Sequence, residues 1–185
     1  MCPYCSSPFV LDVQHPQTVL AHLGAHILHD PKVNRNAQPC GLCGGPSRLC
    51  RFFLKKSHSA GGGMTVNMEA SKGCSNLVKK FNYSTAAKSS SQNSPCSNVQ
   101  LRCPECDSSE PTVWRYNLRY HLQNDHPQIP ITRHAHLWGL SDNENTWMLA
   151  LLTKIKEGKE KRTKKVKPAL AISTAHSSKL ALRSV

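Results

Sequence analysis

Three Cys-x-x-Cys pairs constrain the fold of this chain more than any other feature of its sequence. They are "CPYC", "CGLC" and "CPEC", which begin at Cys2, Cys40 and Cys103. Each pair can place two thiolates on one tight turn, where both bind the same zinc ion. The chain has nine cysteines, an odd number that cannot all pair as disulfides, and ten histidines, several of them at ligand spacing. We therefore predict zinc binding in a reducing compartment.

The composition agrees with a fold that depends on metal. Only 38% of the 185 residues are hydrophobic and 6% are aromatic, which is little material for one large core. The first residues lack the charged and apolar regions of a secretory signal, and no apolar run of about 18 residues could cross a bilayer. We expect no membrane partner. Because Cys2 adjoins the initiator Met1, we also expect the chain to be a fragment of a longer protein or the product of a shortened gene.

The third pair predicts a complete zinc site. Fourteen residues separate Cys106 from His121, and four separate His121 from His126. Two histidines about one helical turn apart complete the tetrahedron that Cys103 and Cys106 begin. We predict a helix over residues 114–126, ended by a proline. Its inner face carries the first histidine together with three apolar residues, Trp114, Leu118 and Leu122.

The first pair predicts a similar site, in which Cys2 and Cys5 join His22 and His26. Phe9 and Val19 stand where a two-cysteine, two-histidine finger has its core aromatic and aliphatic residues. His29 competes with His26 as the fourth ligand, but its spacing from His22 is less usual. We interpret His15 and His29 as exposed.

The middle pair leaves its partners open. Cys50, Cys74, Cys96 and His58 all follow Cys40 and Cys43. Cys74 and Cys96 lie in turn-like sequence, whereas Cys50 enters "RFFL" and could be buried in a strand. We predict a site of Cys40, Cys43, Cys74 and Cys96, with Cys50 in place of Cys74 as the alternative. Three zinc ions are therefore expected.

These features predict a small, irregular α+β protein divided into five parts. Residues 1–31 form a finger-like zinc module, 32–98 a four-cysteine zinc module with a β-hairpin and a Ser-rich loop, 99–127 a second finger, 128–158 a linker and an amphipathic helix, and 159–185 a basic disordered tail. Ser141 and Glu144 form a capping box for that helix of about sixteen residues. We predict that its apolar residues from Trp147 to Ile155 pack on the zinc modules, with docking of a protein partner as the alternative.

The charge of the chain predicts a polyanionic partner. There are 24 Lys and Arg against 11 Asp and Glu, a net charge of +13. Three zinc ions would add six charges and eight thiolates would remove eight, which leaves +11. Such an excess favours nucleic acid over membrane. The segment "KIKEGKEKRTKKVKP" is typical of a nuclear localisation signal or a non-specific nucleic-acid contact, and it includes Lys161, Arg162, Lys164 and Lys165.

Base-specific reading by the fingers is not expected. Counting back from His121 places Tyr120, Asn117 and Trp114 where a DNA-reading finger has its base contacts, and only Asn117 suits a base, adenine. Other residues could contact phosphates or stack on bases from the outer face of the third module, unless this is an ordinary solvated face. The candidate nucleic-acid contacts are therefore Arg102, Arg115, Asn117, Arg119 and Tyr120. The alternative function is a zinc-shaped protein–protein interaction module.

Two resemblances extend this interpretation. The third module, residues 103–127, resembles the BED-type zinc finger of transposases and chromatin-associated proteins. The resemblance is carried by its ending, "YNLRYHLQNDHP". The segments "LAHLGAHILHDP", "PCGLC", "FFLKK", "SPCSNVQLRCPEC" and "WRYNLRYHL" together look like a group of uncharacterised zinc-finger proteins of mushroom-forming (basidiomycete) fungi. This resemblance implies a zinc-binding nuclear protein.

Because each module offers four protein ligands, we expect no open metal position, no small-molecule substrate and no catalysis.

Overall fold

A computed structural model describes residues 1–57, 63–77 and 95–161 of the chain. Its α-helices are α1 (Pro16–His29), α2 (Leu118–Asp125), α3 (Ala135–Trp138) and α4 (Asp142–Lys161). Its strands are β1 (Leu54–Lys56), β2 (Met64–Val66), β3 (Gln100–Leu101) and β4 (Val113–Trp114), which form two antiparallel pairs. Short 3-10 turns occupy Arg35–Ala37, Arg115–Asn117 and Ile131–His134. The predicted α+β class is confirmed.

Helix α1 forms the centre of the molecule, and its residues 19–27 are all buried. Pro16 suits the first turn because the backbone nitrogen there needs no partner within the helix. At the other end the guanidinium of Arg35 donates hydrogen bonds to the carbonyl oxygens of Ile27 and Leu28, at 2.8 and 2.9 Å. These contacts satisfy carbonyls that the helix itself leaves unpaired.

The predicted hairpin is present as β1 and β2. Leu54 pairs with Val66 and Lys56 with Met64. An isolated bridge between Arg51 and Lys72 continues the pairing on the other side of a turn at residues 68–70. Residues 58–62, which join the two strands in sequence, lie outside the described part of the chain. So do most of the predicted Ser-rich loop, in 78–94, and the predicted tail from 162 onwards.

The predicted helix over residues 114–126 is wrong at its beginning. Trp114 lies in β4, where it pairs with Gln100 of β3, and the α-helix begins only at Leu118. The sheet pairing overrides the helical periodicity of this segment. The predicted inner face is nevertheless confirmed, because Trp114, Leu118 and Leu122 are all buried.

Helix α4 is longer than the sixteen residues predicted, since it contains 20 and continues past Gly158. The Oγ of Ser141 accepts a hydrogen bond from the backbone N–H of Glu144 at 3.2 Å, as the capping interpretation requires. Met148 and Leu152 are buried, and the helix packs mainly on α1. The prediction that its apolar stripe packs on the zinc modules is confirmed.

One hydrophobic core joins distant parts of the chain. It contains residues of α1, the middle module, β4 and α4, among them Leu23, Phe52, Trp114 and Met148. A second, smaller cluster lies beneath α2 and contains Val113, Leu118 and Leu122. Cysteines of all three predicted zinc sites belong to these clusters, so metal binding and apolar burial occur in the same places. In the described part of the chain, no helix has the length and apolarity needed to span a bilayer.

Candidate metal centres

The first group of potential ligands is the predicted one. Cys2 and Cys5 lie opposite His22 and His26, which α1 places one turn apart. The Sγ of Cys5 is 3.4 Å from the Nε2 of each histidine. A tetrahedral zinc ion bound by sulfur and nitrogen would separate these ligand atoms by about 3.6 Å. The distances from the Cys5 sulfur to the two histidine nitrogens are therefore close to those around a bound zinc ion.

A buried carboxylate orients one ligand of this first group. The Nδ1 of His26 is 2.8 Å from Oδ2 of Asp30, and both side chains are about 1% exposed. Because this contact holds the proton on Nδ1, the Nε2 atom is left to bind a metal. The Nζ of Lys156, on α4, lies 3.4 Å from the other carboxylate oxygen, so the last helix also supports this centre.

Two aromatic residues of the first module depart from their predicted places. The ring of Phe9 stacks on His22 with centroids 4.0 Å apart, but Phe9 is 37% exposed and not a core residue. His29 is half-buried, and burial lowers its pKa, so its predicted exposure is wrong. His15 is exposed as predicted and contacts Asp12.

The third group also contains the predicted ligands, Cys103, Cys106, His121 and His126. The Sγ of Cys106 lies 3.2 and 3.1 Å from the Nε2 atoms of the two histidines. The Nδ1 of His121 is 2.6 Å from Oδ2 of Asp125, which repeats the histidine–carboxylate pair of the first group at the same spacing along a helix. Burial lowers the pKa of His121 and so favours the neutral imidazole that binds metal.

The middle group consists of four cysteines, Cys40, Cys43, Cys50 and Cys74. Their sulfur atoms lie 3.4 Å apart between Cys43 and Cys50 and 3.8 Å apart between Cys40 and Cys74. Four sulfurs around one zinc ion would be separated by about 3.8 Å. The backbone N–H groups of Leu42 and Gly45 donate to two of the sulfurs, as expected for a cysteine turn that binds zinc.

The protonation of these thiols favours a bound cation. Hydrogen bonds from Cys40, Cys50 and Cys74 lower the pKa of Cys43, whereas burial raises the pKa of Cys40. The neighbouring thiols therefore stabilise the Cys43 thiolate, whereas burial opposes ionisation of Cys40. A divalent ion removes this opposition because it stabilises all four thiolates together.

Both predicted versions of the middle site are wrong in including Cys96. Cys96 is 1% exposed, and its sulfur lies 3.9 Å from the hydroxyl of Tyr116. Burial raises the pKa of Cys96 to about 11. Cys50 takes its place because the bridge between Arg51 and Lys72 draws the two segments together and brings Cys50 beside Cys74. The other candidate, His58, lies outside the described residues.

The predicted nucleic-acid contacts around α2 are only partly available. Asn117 is fully buried, and its Nδ2 donates to the carbonyl oxygen of Pro39 at 2.7 Å, so its inclusion among the candidate nucleic-acid contacts is wrong. Arg115 is half-buried and donates to the carbonyl oxygen of Gly139. Arg102 and Arg119 are exposed, and Tyr120 is partly exposed. For Lys161, Arg162, Lys164 and Lys165, the side chains lie outside the described residues.

A set of cations was missed by the sequence interpretation. Arg51, Lys55, Lys56 and Lys72 are all exposed on or beside the hairpin. The signal was present in "CRFFLKK", where alternation along a strand places residues 51, 53 and 55 on one face and residues 52 and 54 on the other.

No protein-family model, curated protein or solved structure matches this chain. In each of the three groups the potential ligand atoms all lie within 4.8 Å of one another. The three groups are positioned to hold three metal ions, consistent with zinc.

Proposed function

We propose that this chain is a zinc-dependent nuclear protein that binds nucleic acid mainly through charge, within a transcription- or transposon-related assembly. Zinc has a structural role in this proposal, because each group offers four protein ligands and leaves no position for a reacting water. The ions hold the modules in one scaffold, and the scaffold presents the positive charge.

The observation that carries the proposal is the small number of ion pairs made by the exposed cations. Among the described Lys and Arg residues, only Arg133 and Lys156 contact a carboxylate within 4.0 Å. The remaining cations that are exposed are available to a polyanion, among them Arg51, Lys55 and Lys72, and the whole chain has a net charge of +13. Neutralisation of phosphates by such cations is the main source of non-specific nucleic-acid binding.

The structure gives less support to base reading by the helix of the third module. Trp114 and Asn117, two of the three reading positions, are buried. Contacts to phosphate fix a protein on nucleic acid without selecting a sequence. We therefore propose binding with little sequence preference.

A second candidate is a protein–protein interaction module shaped by zinc. It is favoured by the outer face of α4, where Leu149 remains 52% exposed although the opposite face is packed. The two functions differ in their response to salt, because a phosphate contact weakens steeply as salt rises and an apolar interface does not.

Fluorescence anisotropy of the zinc-loaded protein with labelled oligonucleotides tests the proposal. We expect the logarithm of the binding constant to fall linearly with the logarithm of salt concentration. A chain that ends at Lys161 keeps all of α4 and removes the tail, so the comparison separates the tail from the zinc modules. Absence of binding by the full chain at any salt concentration would refute the function. A fluorescent fusion excluded from the nucleus would refute the location.

A further inference from the structure

The outer face of the β1–β2 hairpin combines positive charge with an aromatic ring. Phe52 is 1% exposed and Leu54 packs against the core, whereas the alternate residues Arg51 and Lys55 are exposed and Phe53 is half-buried. The guanidinium carbon of Arg51 lies 5.9 Å from the centroid of the Phe53 ring, which confirms that these two side chains share a face. Phe53 thus adjoins one cation in space, and it lies between two exposed cations, Arg51 and Lys55, in the sequence.

Further cations adjoin this row on both sides. Lys72 is the cross-strand partner of Arg51 and is exposed. At the other edge of β1, the Nη2 of Arg102 donates to the carbonyl oxygen of Leu54 at 3.0 Å. Glu69 lies in the turn after β2, and Glu110 lines a cleft beside Arg51. Within the described chain neither carboxylate forms an ion pair with these cations.

We propose that this face is a binding surface for single-stranded nucleic acid, on which Arg51, Lys55 and Lys72 contact phosphates and Phe53 stacks on a base. The inference rests on the proposed function. It adds the surface that binds and the form of nucleic acid that is bound. A basic surface with an aromatic ring is the arrangement by which proteins hold single strands without reading their sequence. In a duplex the bases are already stacked on one another, so Phe53 would have no base to contact.

The middle metal centre fixes the base of this surface. Arg51 directly follows the ligand Cys50, and Lys72 precedes the ligand Cys74 by two residues. A zinc ion bound by four thiolates has a formal charge of −2, which offsets part of the charge of these two cations. Lys55 is four residues, or about 13 Å of extended chain, beyond Arg51. It is therefore farther from the charge of the middle centre. Substitutions of Lys55 and Phe53 therefore depend least on the middle ion, and a variant that also changes Lys72 requires a check that this ion is retained.

The test uses the full-length, zinc-loaded protein and labelled single strands of mixed sequence, as DNA and as RNA, with a duplex of the same sequence beside them. The double substitution Lys55→Gln with Lys72→Gln should weaken single-strand binding about tenfold at low salt. It should also reduce the slope of log K against log salt by about 1.4, which corresponds to two phosphates at roughly 0.7 each. Phe53→Leu should weaken binding at least about fivefold without changing the slope, and Phe53→Tyr should restore it.

The matched control is Lys32→Gln with Arg133→Gln, which removes the same charge from two exposed residues outside both the hairpin and the basic segment that begins at Lys154. We expect it to change affinity less than twofold and to leave the slope unaltered. Native mass spectrometry must show three zinc ions in every variant compared.

Three outcomes would overturn the inference. If the control and hairpin pairs weaken binding equally, net charge is sufficient and the hairpin is not the surface, although the proposed function stands. If the duplex binds more tightly and Phe53→Leu has no effect, the single-strand assignment fails. If the unaltered protein binds no oligonucleotide, both the inference and the proposed function fail.

Discussion

The hydroxyl of Tyr4 donates a hydrogen bond to the carbonyl oxygen of Gly44 at 2.6 Å. Tyr4 lies within the first cysteine turn, and Gly44 directly follows the second. Gly44 has a φ of +75°, and a Cβ at this position would lie 2.7 Å from Pro3. The two turns therefore meet closely, and the first and middle metal centres support one another. Burial raises the pKa of Tyr4 to about 12, so its hydroxyl keeps the donated proton at neutral pH.

Removing this hydroxyl should weaken both centres. We expect Tyr4→Phe to lower the free energy of unfolding by about 1 kcal/mol, because the Gly44 carbonyl loses its partner. Urea denaturation of the zinc-loaded protein measures the change. Tyr120→Phe is the matched control, since within the described residues the Tyr120 hydroxyl has no hydrogen-bond partner. An equal effect of the two substitutions would show that the contact between the turns contributes nothing.

The composition of the middle centre can be tested by counting ions. Cys50→Ala should reduce the number of bound zinc ions from three to two, because it removes a ligand. Cys96→Ala should retain three ions, although loss of a buried sulfur lowers stability by about 1 kcal/mol. Native mass spectrometry of both variants distinguishes them. Loss of an ion from the Cys96 variant alone would reinstate Cys96 as the ligand.

The histidine–carboxylate pairs should tune metal affinity. Asp125→Ala removes the carboxylate that orients His121 and should lower zinc affinity at the third centre about 10- to 100-fold. Competition against a chromophoric chelator measures this change. Asp107→Ala removes the same charge from an exposed residue next to Cys106 and should have little effect. If both variants lose affinity alike, general electrostatics explain the result and orientation of the imidazole does not.

Gly73 should tolerate no side chain. It adopts a φ of +88°, and a Cβ there would lie 1.6 Å from the carbonyl oxygen of Leu49, one residue before the ligand Cys50. Gly73→Ala should therefore displace either Cys50 or Cys74 and release the middle ion. Gly63→Ala, at a position where a Cβ meets nothing within 4 Å, should leave three ions bound. Zinc retention during dialysis against a mild chelator compares the two variants.

The first and third ligand groups could be predicted from sequence because their determinants are local. A cysteine turn and two histidines one helical turn apart require only correct secondary structure between them. The carboxylates Asp30 and Asp125 follow a ligand histidine by four residues, so helical spacing could also have found them.

The middle group could not be predicted in the same way, because its completion depends on long-range pairing. Cys50 becomes a ligand only when Arg51 pairs with Lys72, and the turn-like sequence around Cys96 resembles that around Cys74. The burial of Asn117 is similarly non-local, since its partner is the carbonyl of Pro39, in another module. Sequence periodicity identifies faces of a helix or strand but does not show what another segment will cover.

The potential ligands of the three centres lie within residues 2–26, 40–74 and 103–126, and so do not interleave along the chain. Each segment therefore contains all its ligands as soon as it leaves the ribosome, and the ions can be acquired in order from the N-terminus. The hydrophobic core, in contrast, cannot be completed in the same order. Helix α1 is synthesised before the other described helices, but Met148 and Leu152, which pack with it in the same core, follow near the end of the described chain. The apolar surface of α1 that α4 later covers therefore stays uncovered while residues 30–141 are synthesised, and a chaperone could bind it during this interval.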